Sequence, residues 1–151
     1  MTVNFELQTI IAAEPARAFH ASLDIDAHLA SMEASGEKAV SGVTTGIIGL
    51  GETVTWKAKH FGITWKMTSQ ITELEAPHRF VDEQVRGPFK HFHHEHIFDK
   101  VPEGTNMIDR ISFDAPFGPL GDLTERLVLG SYLPKLITDR NGYLRSELEQ
   151  S

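Results

Sequence analysis

The stretch "VDEQVRGPFKHFHHEHIFDK", residues 81–100, carries four of the chain's eight histidines within six positions: His91, His93, His94 and His96. Asp82, Glu83, Glu95 and Asp99 flank them. Imidazoles beside carboxylates can hold a metal ion, move a proton or orient a bound molecule. On a strand, parity decides which of them can act together, because alternate side chains point to opposite faces. His91, His93, Glu95 and Ile97 fall on one face; Phe92, His94, His96 and Phe98 fall on the other. The face bracketed by two phenylalanines is the expected inner one. His91 and His93 are expected to meet solvent or a partner, and no chemistry is assigned to them.

The adjoining segments supply the neighbours. "TNMIDRISFD" (105–114) puts Met107, Asp109, Ile111 and Phe113 on its more apolar face. Hairpin pairing across "VPEG" sets His96 opposite Asp109. Pairing across "RGPF" sets Asp82 opposite His94 and Gln84 opposite Phe92. The inner wall is then expected to hold Asp82, Gln84, His94, His96 and Asp109 amid Trp56, Trp65, Met67, Phe92, Phe98 and Phe113. A few placed polar groups in an apolar, aromatic wall are the make-up of a small-molecule pocket. Three uses of the strip stay open: mutual satisfaction of buried polar groups, orientation of a ligand, and acid–base chemistry. In the last, His94 or His96 would move a proton and Asp82 or Asp109 would orient it. No metal is expected, since His94 and His96 have no third histidine on their face to close a site. No other cofactor is expected. Covalent catalysis has no support: the chain has no cysteine and no G-x-S-x-G. "GIIGLGETV" (46–54) fits neither phosphate-binding pattern, because no Gly-Lys-Ser/Thr follows and a strand, not a helix, comes next; a glycine hairpin near the cavity mouth is expected instead.

These side chains need a frame. At 151 residues the chain is about one domain, long enough to bury a core without staples. A net charge of −7 argues against nucleic acid and anionic membranes as partners. No apolar run is long enough to span a membrane, and the start lacks a secretion leader, so a cytoplasmic location is expected. "VNFELQTII" (3–11) reads as a strand. Pro15 suits the first turn of a short helix reaching Leu23, and Asp24 or Asp26 caps a second one. Strands follow near 38–44 and 51–60. "GITWKMTSQITELEAP" (62–77) alternates, with Ile63, Trp65, Met67, Ser69 and Ile71 on one face. Strands at 78–86, 90–98 and 105–114 complete an antiparallel meander. The period then becomes helical: Leu120, Leu123, Leu127, Leu133, Leu136, Ile137 and Leu144 predict a helix over roughly 119–148, about 45 Å long. Gly130 and Pro134 interrupt it and predict a kink. The sum is an α+β domain over 1–151: one strand, two short helices, about six strands and a long helix.

Several stretches carry a resemblance: "GETVTWKAKHFG" (51–62), "ITELEAPHRFVDEQVRGPF" (71–89), "HHEHIF" (93–98), "MIDRISFDAPFGPLG" (107–121) and "YLPKLITDRNGYL" (132–144). Over nearly its whole length the chain resembles the START-like, or Bet v 1-like, helix-grip superfamily, and within it the bacterial polyketide-cyclase/dehydrase-like (SRPBCC) branch. The resemblance implies a curved seven-stranded antiparallel sheet wrapped around the C-terminal helix, with a cavity between them. Leu123 and Leu127 would line that cavity from the helix. Arg140 and Asn141 match the family's pattern and are expected to anchor the helix. The expected partner is a small apolar or aromatic ligand, bound by a monomer or weak homodimer acting as carrier or sensor. The alternatives are a cyclase/dehydrase-like enzyme and an accessory protein with a vestigial cavity.

Overall fold

The computed structural model describes residues 2–60, 62–114 and 130–150. Strand β1 (Thr2–Ile11) leads into helix α1 (Pro15–Leu23), which begins at its proline, and then α2 (Ile25–Ser31). Asp24 caps α2, its carboxylate accepting from the backbone N–H groups of Asp26 (2.9 Å) and Ala27 (3.2 Å). A 3₁₀ turn at Glu33–Ser35 precedes β2 (Lys38–Gly42), β3 (Thr53–His60), β4 (Ile63–Glu75), β5 (Arg79–Arg86), β6 (His91–Val101) and β7 (Gly104–Asp114). Helix α3 (Gly130–Glu149) follows.

The seven strands form one antiparallel sheet in the order β1-β7-β6-β5-β4-β3-β2. The meander β2 to β7 places consecutive strands side by side, and β1 closes the far edge against β7. Register shifts between Ala39 and Ser41, and at two points along β4, mark bulges. Such bulges bend a strand and raise its twist, which lets the curved sheet cup the helices. Helix α3 rests on β1, α1 and α2. It continues through Pro134, although proline has no N–H to give the carbonyl of Gly130. Leu120, Leu123 and Leu127 lie outside the described residues, as does the expected first part of the long helix.

The segment 43–52 is a ten-residue connection, longer than the glycine hairpin expected from its sequence. It folds back on the junction of the two short helices: the N–H of Ile25 donates to the carbonyl of Gly46 (2.9 Å), and that of Ile48 to Leu23 (3.1 Å). Ile48 is thereby buried beneath it. Apolar burial competes with local turn preference in such segments, and here burial sets the path.

The core has two apolar clusters. One gathers Phe19, Leu23, Phe80, Phe98, Met107, Leu144 and Leu148; the other gathers Ile111 and Phe113 with Val3, Phe89, Phe92, Leu133 and Ile137. The same alternation runs through three elements. On β6 the order is Phe92, then His94 and His96, then Phe98. On β7 it is Phe113 and Ile111, then Asp109, then Met107. On α3 it is Ile137, then Arg140 and Asn141, then Leu144. A strand repeats its face every two residues and a helix every three to four, so a polar layer lines up between the two apolar ones.

Candidate functional site

That layer is a connected set of buried side chains. His94, His96, Asp109, Arg140 and Asn141 are all buried, and Asp109 is fully inaccessible. The registers of the two hairpins are Asp82↔His94 and His96↔Asp109, as the sequence indicated. The side chains do not bond straight across. The Nε2 of His94 lies 2.7 Å from Oδ1 of Asp109, and the Nε2 of His96 lies 2.7 Å from Oδ2 of Asp82. Each imidazole therefore leans along its strand to the diagonal neighbour, which is within reach of a long side chain. The two rings stack with centroids 3.7 Å apart and planes 18° apart. Phe80 continues the stack on His96 at 4.1 Å.

From α3, Arg140 donates through Nη2 to Asp109 Oδ1 (2.9 Å), and Asn141 donates through Nδ2 to Asp109 Oδ2 (2.7 Å). The Oδ1 of Asn141 accepts from Arg140 Nε and Nη2, and its Nδ2 reaches Thr9 Oγ1 on β1 at 3.2 Å. Arg140 and Asn141 thus anchor the helix, and do so through the carboxylate of Asp109. Their place was visible in the sequence as two polar residues on the apolar stripe between Ile137 and Leu144. That they share a network with the histidines was not, because a helix–sheet contact leaves no local signal.

Charge states follow from the contacts. Burial alone would raise the pKa of Asp109, but the Arg140 guanidinium and the hydrogen bond from His94 outweigh it and hold the carboxyl well below the usual range. Burial is also the largest single influence on Asp82 and works against its ionisation, but the hydrogen bond from His96 together with the charges of His96, His94 and Arg140 outweighs it, leaving the pKa lowered. Two ionised carboxylates can only accept, so Nε2 of each imidazole carries the proton it shares. For His96, burial and then the neighbouring His94 push the pKa down to about 4, against the pull of Asp82 and Asp109. His96 is therefore neutral near pH 7, and its Nδ1 is a bare acceptor. That nitrogen has no hydrogen-bond partner and sits 3.5 Å from Asp109 Oδ1, another acceptor.

Asp82, His94 and His96 offer ligand atoms within 4.8 Å of one another. Their orientation fits a metal poorly. The lone pairs of stacked imidazoles lie in nearly parallel planes and run side by side, whereas a metal needs them to converge. The Nε2 atoms that could turn toward an ion already serve the two carboxylates.

A cavity of about 190 Å³ opens on this layer. Trp56, Trp65, Met67, Asp82, Phe92, His94 and His96 line it, with Ser69, Ile71, Phe80, Leu133, Leu136, Ile137 and Arg140. Four expected members of the wall are elsewhere, Phe98 among them: it is buried in the core against Phe19 and Phe80. Gln84 turns to the β5–β6 turn, donating through Nε2 to the Phe89 carbonyl (2.7 Å) and accepting from the Phe89 N–H (3.2 Å). The β5–β6 ladder ends at Glu83↔His93, so Gln84 does not face Phe92 across it. A Cβ on Gly87 would collide with the Gln84 amide, so glycine at that position leaves the clamp its room. Asp109 is inaccessible, behind the histidines, and Phe113 packs under Phe89 and Phe92. Leu123 and Leu127 lie outside the described residues.

The cavity wall also holds a second polar pair that the sequence did not reveal. His28 on α2 lies 2.6 Å from Glu37, and its ring stands 4.3 Å from that of Trp56. His91 and His93 stand off the cavity: His91 is half-exposed and bonds Asp114 and Ser112 at 3.1 Å each, and His93 lines a shallow groove on the outer face with Glu95 and Arg110. Among the described residues no helix is long and apolar enough to cross a membrane.

Solved structures share this architecture. An aromatase/cyclase, ZhuI, from a Streptomyces species superposes with a TM-score of 0.79 at 13% identity, over 99% of this chain and 95% of that one. The protein TTHA0849 from Thermus thermophilus gives 0.73 at 16% identity, over 97% and 99%. The major latex-like protein 151 of Panax ginseng gives 0.64 at 14% identity, over 97% of both chains. At such identities the likeness is one of fold. No curated protein matches the chain. The sequence itself matches a family model from residue 2 to residue 149, and the chain belongs to that family, described as polyketide cyclase / dehydrase and lipid transport.

Proposed function

We propose that this protein binds a small, mainly apolar or aromatic molecule in the cavity between sheet and C-terminal helix, as a carrier or sensor. The observation that carries the reading is an apolar cavity of about 190 Å³ bordered by Trp56, Trp65, Phe80 and Phe92, with a few polar groups in its wall. An apolar cavity of about 150 Å³ already accepts a benzene ring, so one or two fused rings fit this one. The polar layer gives the wall rigidity, since each of its residues is hydrogen-bonded to another.

Acid–base catalysis by His96 is the weaker use of the same atoms. Its Nε2 donates to Asp82, and its Nδ1, though unpaired, is buried against Asp109 rather than open to a substrate. Asp82 is held ionised and is a correspondingly poor base.

The test is a titration with the neutral two-ring fluorophore 1-naphthylamine, reading dye emission and tryptophan quenching. Saturable binding is expected, and Ala58→Phe should weaken it at least tenfold. Ala58 is a buried residue that borders the cavity, and the added ring would occupy the ligand's space. Absence of saturable binding to the unaltered protein, or equal binding to the filled variant, would defeat the proposal.

A further inference from the structure

The cavity's charged groups are of unequal availability. Among the described residues its wall includes three carboxylates, of Asp24, Glu37 and Asp82, against one guanidinium, that of Arg140. Arg140 is committed to Asp109 and Asn141, and only 5% of its side chain is exposed. Asp24 caps α2. Glu37 is held by His28 at 2.6 Å, with 9% of its side chain exposed. Asp82 differs: its carboxylate takes one hydrogen bond, from His96 to Oδ2, and 21% of the side chain remains exposed where it borders the cavity. The acceptor with spare capacity is therefore anionic. Beside it stands Ser69, also buried at the wall.

Resting on the ligand-binding reading above, we infer that the ligand is a neutral aromatic bearing a hydroxyl or similar hydrogen-bond donor, which it gives to Asp82, and that carboxylate ligands are excluded. A donor meeting an ionised acceptor makes the stronger kind of hydrogen bond. An acid brought to the same place would face Asp82 at close range in a medium of low dielectric, with no free cation among the described lining residues to pair with, because Arg140 is neutralised by Asp109. The lowered pKa of Asp82 keeps it charged across the neutral range. The same reasoning separates this cavity from one built for fatty acids or other anionic amphiphiles, which would call for an unpaired Arg or Lys at the polar end.

Three probes of one shape test it: naphthalene, 1-naphthol and 1-naphthoate, each competing with 1-naphthylamine at pH 7. The expected order is 1-naphthol first by about tenfold or more over naphthalene, with 1-naphthoate weakest. In Asp82→Asn the naphthol advantage should shrink to a fewfold and naphthoate should gain. If naphthoate binds as well as or better than naphthol, the inference falls while the ligand-binding reading stands. If naphthol gains nothing over naphthalene, the donor contact falls alone. If the dye itself fails to bind, both fall. The ranking on the unaltered protein decides the matter even if Asp82→Asn does not fold.

Discussion

Asp109 and Arg140 tie the C-terminal helix to the sheet, and their coupling can be measured. The carboxylate is fully inaccessible and accepts from Arg140, Asn141 and His94; the guanidinium is 5% exposed. Asp109→Asn removes the charge at constant volume and turns one acceptor into a donor aimed at donors. Breaking a buried pair from one side costs about 3–5 kcal/mol, because the remaining charge stays buried without compensation. Arg140→Gln should cost a similar amount from the other side. With both replaced, no lone charge is left, so the double variant should fall short of the sum by about 2–3 kcal/mol. Urea unfolding followed by tryptophan fluorescence reads this directly. At an m-value of about 2 kcal/mol/M, each single variant moves the midpoint down by about 1.5–2.5 M. Variants losing less than about 1 kcal/mol, or additive within about 0.5 kcal/mol, would refute the view that this pair is the buried tie between helix and sheet.

Other outcomes follow from the same geometry. The pKa of His96 is pushed down to about 4 in the fold from an ordinary 6.5. Between those values the unfolded chain binds a proton that the native state refuses, so stability is full above pH 6.5 and falls as pH drops toward 4. The loss over that window is on the order of 3 kcal/mol, and unfolding of His96→Leu across pH 4–6.5 should show a flatter slope. Below pH 4 the lowered pKa values of Asp82 and Asp109 add a further loss as their carboxylates are protonated in the unfolded chain first. Gln84→Ala frees both backbone groups of Phe89 and should cost about 1–2 kcal/mol in the same unfolding assay. Pro134→Ala restores an N–H for the carbonyl of Gly130; stopped-flow dye binding should show slower exchange with a higher melting temperature.

Much of this was legible because strand parity is a strong code. The inward set Trp65, Met67, Ser69 and Ile71 on β4, the pair His94 and His96, and the outward His91 and His93 all follow from alternation once one face is known. The registers Asp82↔His94 and His96↔Asp109 follow from short turns. Side-chain partners were harder, because diagonal neighbours on a strand pair compete with direct ones, and here the diagonals won. Gln84 departed from the wall because the turn's backbone groups needed partners more than the cavity did. Asp109 has the parity of a wall residue, but only the positions of Arg140 and Asn141 explain why it is walled off. His28 and Glu37 are brought together by the path of α2 into β2, which no spacing rule encodes.

The central claim, a cavity that holds a small neutral molecule, is met most directly by native mass spectrometry of untagged protein incubated with excess 1-naphthol, beside Ala58→Phe treated alike. The account predicts a one-to-one adduct on the unaltered protein and its loss in the filled variant. Bare protein in both spectra, or the same adduct in both, would contradict it.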